Sequence, residues 1–145
     1  MLNIDIEHYH GAGIYKISNV KSNKVYIGSA VDCARRIKQH RKSFRNLSCN
    51  SKIRNDVING GEFTFEIIWI PNSKITWFDL YEKEAEYIAK YNSLLNGYNI
   101  AKTTATKKAD LLRQLNEYKC GKGKMAEQGA AYILDIINKR NKIIN

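Results

Sequence analysis

The chain has 145 residues, the size of one ordinary domain with a short appended segment, and its 43% hydrophobic content is enough for a core. No apolar run approaches the roughly 20 residues of a membrane span. The three cysteines are widely spaced and form no C-x-x-C pair, which disfavours a disulfide scaffold or a zinc site. Lys and Arg total 24 against 14 acidic residues, a net charge of +10, which indicates a polyanionic partner such as nucleic acid or simply a soluble basic protein.

The first predicted elements form a β-hairpin. Two apolar runs, 13–18 and 24–28, flank the polar turn "VKSN". With a two- or four-residue loop, Tyr15 lies opposite Gly28 and shares one face of the hairpin with Tyr26, whereas an odd loop separates the two phenols. An aromatic core cluster is an equally good interpretation of the tyrosines taken alone.

Two helices follow the hairpin. Asp32 is placed to cap a helix that runs to about Phe44. Asn50 or Ser51 caps a second, shorter helix, and Gly60 and Gly61 end it.

Cys33 to Arg54 contain eight basic residues and no acid. We interpret this block as a phosphate-facing surface, with a solvated helix face as the alternative. Apart from Arg36, its members are predicted DNA contacts: Arg35, Lys38, Arg41, Lys42, Arg45, Lys52 and Arg54.

The second half of the domain begins with a strand. Residues 63–70 are apolar on both faces, which predicts a central strand of a sheet covered on both sides. Thr76 and Asp79 resemble a capping box that opens a helix from about Trp77 to Tyr91. "NGYNI" at 96–100 then predicts a turn and a short final strand.

This order predicts an α+β fold, with a small, mostly antiparallel sheet of three to four strands flanked by helices. The domain is expected to occupy residues 1–101. Residues 102–145 form a helical tail with ten basic and four acidic residues. Its apolar stripes must pack on the domain, on each other or on a second copy: Leu111, Leu112, Leu115 and Tyr118, then Ile133, Ile136 and Ile137.

Glu84 is an unusual residue of the predicted third helix, because it lies in the apolar stripe, four residues after Leu80 and four before Ile88. An inward carboxylate is costly unless it is paired, hydrogen-bonded or bound to a metal. A buried salt bridge to Arg36 and a functional role are both open.

Arg36 and His40 are spaced i, i+4 and project from one side of the first helix, where ordinary surface residues have the same spacing. Together with the two phenols and Glu84 they form the candidate catalytic set. This set contains neither a serine or cysteine triad nor a dense carboxylate cluster. One carboxylate plus waters suits Mg²⁺, and a guanidinium neutralises an oxyanion at phosphorus. The set favours metal-assisted phosphodiester hydrolysis.

From about Gly13 to Ala101 the chain resembles the GIY-YIG nuclease family. The resemblance rests on "GIY", ten residues, "YIG", then an Arg and a His on one helix, a Glu on a later helix, and "NGYNIA". The phrasing "YIGSAVD" is most similar to phage-type and intron-encoded homing endonucleases.

The resemblance implies a DNA endonuclease that uses Mg²⁺, with Mn²⁺ as a substitute, held by Glu84. Tyr15 and Tyr26 would position or deprotonate the attacking water. Arg36 would stabilise the transition state, His40 would assist, and Asn99 would orient groups around the site. Some relatives have a second His where this chain has Cys49 or Asn50, and that role is left unfilled.

The expected partner is double-stranded DNA, and a homodimer is left open. The first residues lack a secretion signal, so we expect a cytoplasmic protein, in the bacterial host if phage-encoded. Such endonucleases usually carry a longer DNA-binding region, whereas 44 residues follow Ala101 here. The tail is a DNA-binding arm, a dimerisation element or a truncation remnant. Restriction or repair-type nicking nucleases and a catalytically inactive nucleic-acid-binding module are the alternatives.

Overall fold

A three-stranded antiparallel sheet with helices on both faces forms the core of the protein. The computed structural model describes residues 2–100, 108–121 and 127–144. The sheet order is β2-β1-β3, which confirms the predicted α+β class. In the described part of the chain, no helix is long and apolar enough to cross a membrane. The elements are β1 Gly13–Asn19, β2 Val25–Ala30, α1 Cys33–Arg45, α2 Ser51–Ile58, β3 Phe63–Trp69, α3 Trp77–Tyr91, α4 Ser93–Asn96, α5 Lys108–Lys119 and α6 Glu127–Arg140.

The hairpin has the register that an even loop predicts. Tyr15 pairs with Gly28 and Ile17 with Tyr26, so the two phenols share a face, with ring centroids 6.3 Å apart. A Cβ added to Gly28 would lie 2.3 Å from the Tyr15 hydroxyl oxygen. The Tyr15 ring therefore occupies the space that any side chain at position 28 would need.

The helix starts are those that the capping residues predict. The Asp32 side chain accepts a backbone N–H in the first turn of α1, and Asn50, rather than Ser51, caps α2 in the same way. Thr76 and Asp79 form a complete capping box at the start of α3.

The prediction that residues 63–70 form a central strand is wrong, because β1 is the middle strand and β3 lies at an edge. The apolar pattern has another cause. Phe65 and Ile67 pack into the cluster beneath α1, while Ile68 and Trp69 pack into the cluster beneath α3. Both faces of an edge strand are thus covered, so its sequence looks like that of a central strand.

The predicted final strand at 96–100 is also wrong. The short helix α4 ends at Asn96, and residues 97–100 are irregular. The Tyr98 N–H donates to the Val25 carbonyl at 2.8 Å. The Asn99 side chain then bonds both backbone groups of Ile27, each at 2.9 Å. One backbone N–H and one side-chain amide therefore form the hydrogen bonds along the outer edge of β2 that a neighbouring strand would otherwise form.

The two tail helices pack on each other and on Phe78 of α3, so the apolar stripes meet both the domain and each other. Leu112 is 44% exposed, so its place in the apolar stripe is wrong. The predicted boundary at residue 101 and most of the "CGKGK" separator lie outside the described residues. The buried members of the cluster are Phe78, Leu111, Leu115, Ala130, Ile133 and Ile137.

Candidate active site

Two phenols and an imidazole form one contiguous group between the sheet and α1. Tyr15 is 1% exposed, and its hydroxyl lies 2.7 Å from Nε2 of His40. The His40 ring is 5.4 Å from the Tyr15 ring and 5.7 Å from the Tyr26 ring, in edge-on geometry. The hairpin and the second turn of α1 thus bring together three residues that the sequence separates.

An open cleft of about 440 Å³ lies beside this group, between α1 and the start of α2. Tyr26, Arg36 and His40 line it, whereas Tyr15 lies behind them. A substrate in the cleft can therefore contact Tyr26 directly and Tyr15 only through its neighbours. The remaining lining residues are Gln39, Ser43, Ser48, Cys49, Asn50 and Ile53.

The imidazole and both phenols are uncharged at neutral pH. Burial, and then the charge of Arg36, lower the pKa of His40 to about 4. Burial, and then Tyr26, raise the pKa of Tyr15. Burial, and then the charge of Glu84, raise the pKa of Tyr26. A neutral imidazole next to a protonated phenol is a proton acceptor next to a donor.

Glu84 lies on α3 with 9% of its surface exposed, as its place in the apolar stripe predicts. Its charge raises the pKa of both phenols and of Arg36, which brings the carboxylate within electrostatic reach of the cleft. The described residues contain no group of three or more His, Cys, Asp or Glu side chains placed to share a metal. A single carboxylate fits Mg²⁺, which retains several of its waters.

Asn99 does not face the cleft. It is 6% exposed, and its amide is engaged with the backbone of Ile27, the residue between Tyr26 and Gly28. It can therefore orient the site by fixing β2, and a direct contact with substrate would require these bonds to break.

The predicted DNA contacts differ in what they already bind. Arg41 pairs with Glu7 and lies over the Phe65 ring at 4.7 Å. The Lys52 ammonium donates to the carbonyls of Leu94 at 3.0 Å and Asn99 at 2.8 Å. Both side chains thus have structural partners. Lys52 is half-buried, whereas Arg41 stays exposed, as do the other five: Arg35, Lys38, Lys42 and Arg45 on α1, and Arg54 on α2.

Sequence reasoning missed Gln39. Its Oε1 accepts a hydrogen bond from Nη1 of Arg36 at 3.0 Å, and it lines the cleft. The i, i+3 spacing of the two residues was the available signal. Cys49 and Asn50 stand where some relatives have a second His. Cys49 lines the cleft, while Asn50 caps α2 and its side chain donates to the Tyr98 carbonyl at 3.0 Å.

Residues 11–99 match the family described as the GIY-YIG catalytic domain, and the chain belongs to that family.

The similar proteins are phage and intron endonucleases. Over 97 residues the chain is 40% identical to "Intron-associated endonuclease 1" of Enterobacteria phage T4. The aligned region covers 64% of this chain and 38% of that relative. The chain thus spans well under half the length of this curated relative.

Two solved structures resemble the fold. A mutant "catalytic domain of intron endonuclease I-TevI" superposes with a TM-score of 0.56 at 37% identity, over 64% of this chain and 96% of that one. A second structure, the "Catalytic Domain of Homing Endonuclease I-TevI", gives a TM-score of 0.52 at 39% identity, over 62% and 98%.

Proposed function

We propose that the protein is a divalent-metal-dependent DNA endonuclease that hydrolyses phosphodiester bonds, of the phage-type homing kind. The observation that carries this proposal is the 2.7 Å contact between the Tyr15 hydroxyl and Nε2 of a neutral His40. It lies at the wall of a cleft that also presents Tyr26 and Arg36.

The proton of the attacking water has a path away from the cleft. Tyr26 lines the cleft and receives that proton as its own passes to the neighbouring Tyr15, whose ring centroid lies 6.3 Å away. Tyr15 passes its proton to Nε2 of His40, in the tautomer that carries the resting proton on Nδ1. The neutral imidazole becomes an imidazolium, and both phenols return to their protonated state.

Arg36 supplies positive charge to the phosphate. Its guanidinium is exposed to the cleft, and the Gln39 amide fixes one of its nitrogens. A fixed cation stabilises the additional negative charge that builds on the phosphoryl oxygens as water attacks.

Glu84 is the residue that would hold the metal, Mg²⁺ or Mn²⁺ in its place. A bound divalent ion would polarise a phosphoryl oxygen and lower the pKa of a nearby water. The carboxylate itself is held in place by its position in the packed face of α3, where it is 9% exposed.

The exposed cations on α1 support double-stranded DNA as the substrate, because they can neutralise phosphates without carrying sequence information. The phage relative supports action in the cytoplasm of a bacterial host. A single site cuts two strands by acting twice or by pairing with a second copy.

The test compares Glu84→Gln with Glu82→Gln, an exposed carboxylate on the same helix. With Mg²⁺, Glu84→Gln should abolish plasmid nicking and retain gel retardation, while Glu82→Gln behaves as wild type. Cleavage by Glu84→Gln at the wild-type rate would remove Glu84 from the mechanism. Retardation by the wild-type chain without nicking, in Mg²⁺ or in Mn²⁺, would instead identify a catalytically inactive binding module.

A further inference from the structure

A second open groove, of about 460 Å³, lies where the start of α3 meets the end of α6. Nothing in the proposed catalytic cycle uses it. Two aromatic rings, three cations and one aliphatic side chain line it: Trp77, Tyr81, Ile136, Lys139, Arg140 and Lys142.

The groove is held in shape by the segment that follows α6. The Trp77 N–H donates to the Lys142 carbonyl at 3.2 Å, and the Ile144 N–H donates to the Ile75 carbonyl at 2.9 Å. The Trp77 and Tyr81 rings are 5.9 Å apart. This backbone pairing fixes the aromatic side of the groove against its basic side.

The charge of the groove fits an anion. None of the six lining residues is acidic. Lys139 is engaged with Asp135 at 2.8 Å, which leaves Arg140 and Lys142 to meet a ligand. The Arg140 guanidinium lies over the Tyr81 ring at 5.2 Å. Its Nη1 is shielded from solvent and has no hydrogen-bond partner among the described residues.

The combination of rings and cations fits one chemical class. Aromatic side chains that line a groove offer stacking surfaces to bases, and neighbouring cations bind the phosphates between them; Trp77 and Tyr81 are both half-buried in the groove wall. Bases of an intact duplex are already stacked on each other, so such a groove suits nucleotides that are unpaired.

The groove is also aligned with the proposed metal ligand. Trp77, Tyr81 and Glu84 are spaced i, i+4, i+7 on α3, so they project from one side of the helix. Along the axis, Tyr81 is about 4.5 Å and Trp77 about 10.5 Å from Glu84 at the helical rise per residue. This is the scale of one to a few nucleotide steps.

We propose that this groove binds unpaired nucleotides of the DNA strand next to the cut, with bases against Trp77 and Tyr81 and phosphates on Arg140 and Lys142. The tail helices then contribute half of a strand-binding surface. The inference rests on DNA as the substrate of the proposed function. The test of the groove measures binding and does not require cleavage, so a failure of the groove proposal can be told apart from a failure of the proposed nuclease function.

The test uses the fluorescence of Trp77 in the full-length Trp69→Phe chain, titrated with a short oligothymidylate in EDTA. Stacking should quench the tryptophan. Lys142→Gln should weaken binding about fivefold at about 0.1 M salt, since one single-strand phosphate contact contributes a slope of about −0.7 in log K against log salt. Lys119→Gln, an exposed lysine at the end of α5, is the matched control and should change the affinity by less than a factor of about 1.5.

Three results would overturn the proposal. The first is a saturating titration without quenching of Trp77. The second is equal weakening by Lys142→Gln and Lys119→Gln. The third is equal affinity for the oligothymidylate in Tyr81→Leu, which keeps apolar bulk and loses the ring. If Trp69→Phe does not fold, the wild-type chain gives the same readout, with Trp69 of the core as a constant background.

Discussion

Replacing Gly28 with alanine should displace the Tyr15 ring. The added Cβ would lie 2.3 Å from the Tyr15 hydroxyl oxygen, 2.4 Å from Cζ and 2.9 Å from Cε2. Tyr15 is 1% exposed, so the ring has no solvent to move into. Gly28 is not among the described residues with positive φ. The effect is therefore steric and not conformational.

The cost has two parts. Forcing an extra methyl group into a packed site costs about 1–3 kcal/mol. Moving the phenol also breaks its 2.7 Å hydrogen bond to His40, which contributes about 1 kcal/mol. Gly28→Ala should thus lower the free energy of unfolding by roughly 2–4 kcal/mol. It should also lower the cleavage rate, because the proposed relay through His40 loses its donor.

Urea unfolding measures the first effect and plasmid nicking the second. Ser29→Ala, on the same strand, is the control and should change the unfolding free energy by less than about 0.5 kcal/mol. In a Tyr15→Phe background the alanine should cost less than in the wild type, because the hydrogen bond is already gone. A Gly28→Ala variant as stable as Ser29→Ala would refute the placement of Tyr15 over this glycine.

Three further outcomes follow from the same geometry. Asn99→Ala should lower the free energy of unfolding by about 2–3 kcal/mol, since both backbone groups of Ile27 lose their partner; urea unfolding at wild-type stability would contradict this. Because the pKa of His40 is lowered to about 4 from 6.5, its contribution to stability is complete above pH 6.5 and is lost as pH falls toward 4, by up to about 3 kcal/mol. His40→Gln should flatten that part of the pH–stability curve. Lys42→Gln should reduce the salt slope of duplex binding by about one, and an unchanged slope would remove that lysine from the contact surface.

The sequence predicted the hairpin, the helix caps and the inward carboxylate because each depends on local chemistry. Tyr15 and Tyr26 share a face because of strand parity. Asp32 caps α1 because its side chain reaches the first free N–H groups. Glu84 is buried because the helical period places it in the apolar stripe.

The errors concern long-range arrangement. A strand covered on both faces has the same apolar pattern at the edge of a sheet as at its centre, so β3 could not be placed from composition. The way in which the outer edge of β2 is covered could not be predicted either, because "NGYNI" has the local pattern of a strand. Asn99 instead supplies both a donor and an acceptor, which lets one side chain replace a strand.

The hairpin gives two identical side chains different chemical surroundings. Tyr15 lies over a residue without a side chain and is closed off from solvent, while Tyr26, paired with Ile17, reaches the cleft. Burial raises the pKa of both phenols, so neither is a base by itself. In the proposed relay the proton passes on to the imidazole, which burial and then Arg36 make a weak base with a pKa of about 4, so that it holds the proton only transiently. The apolar packing that stabilises the sheet against α1 thus also keeps the imidazole neutral at pH 7, which is the state that the proposed relay uses.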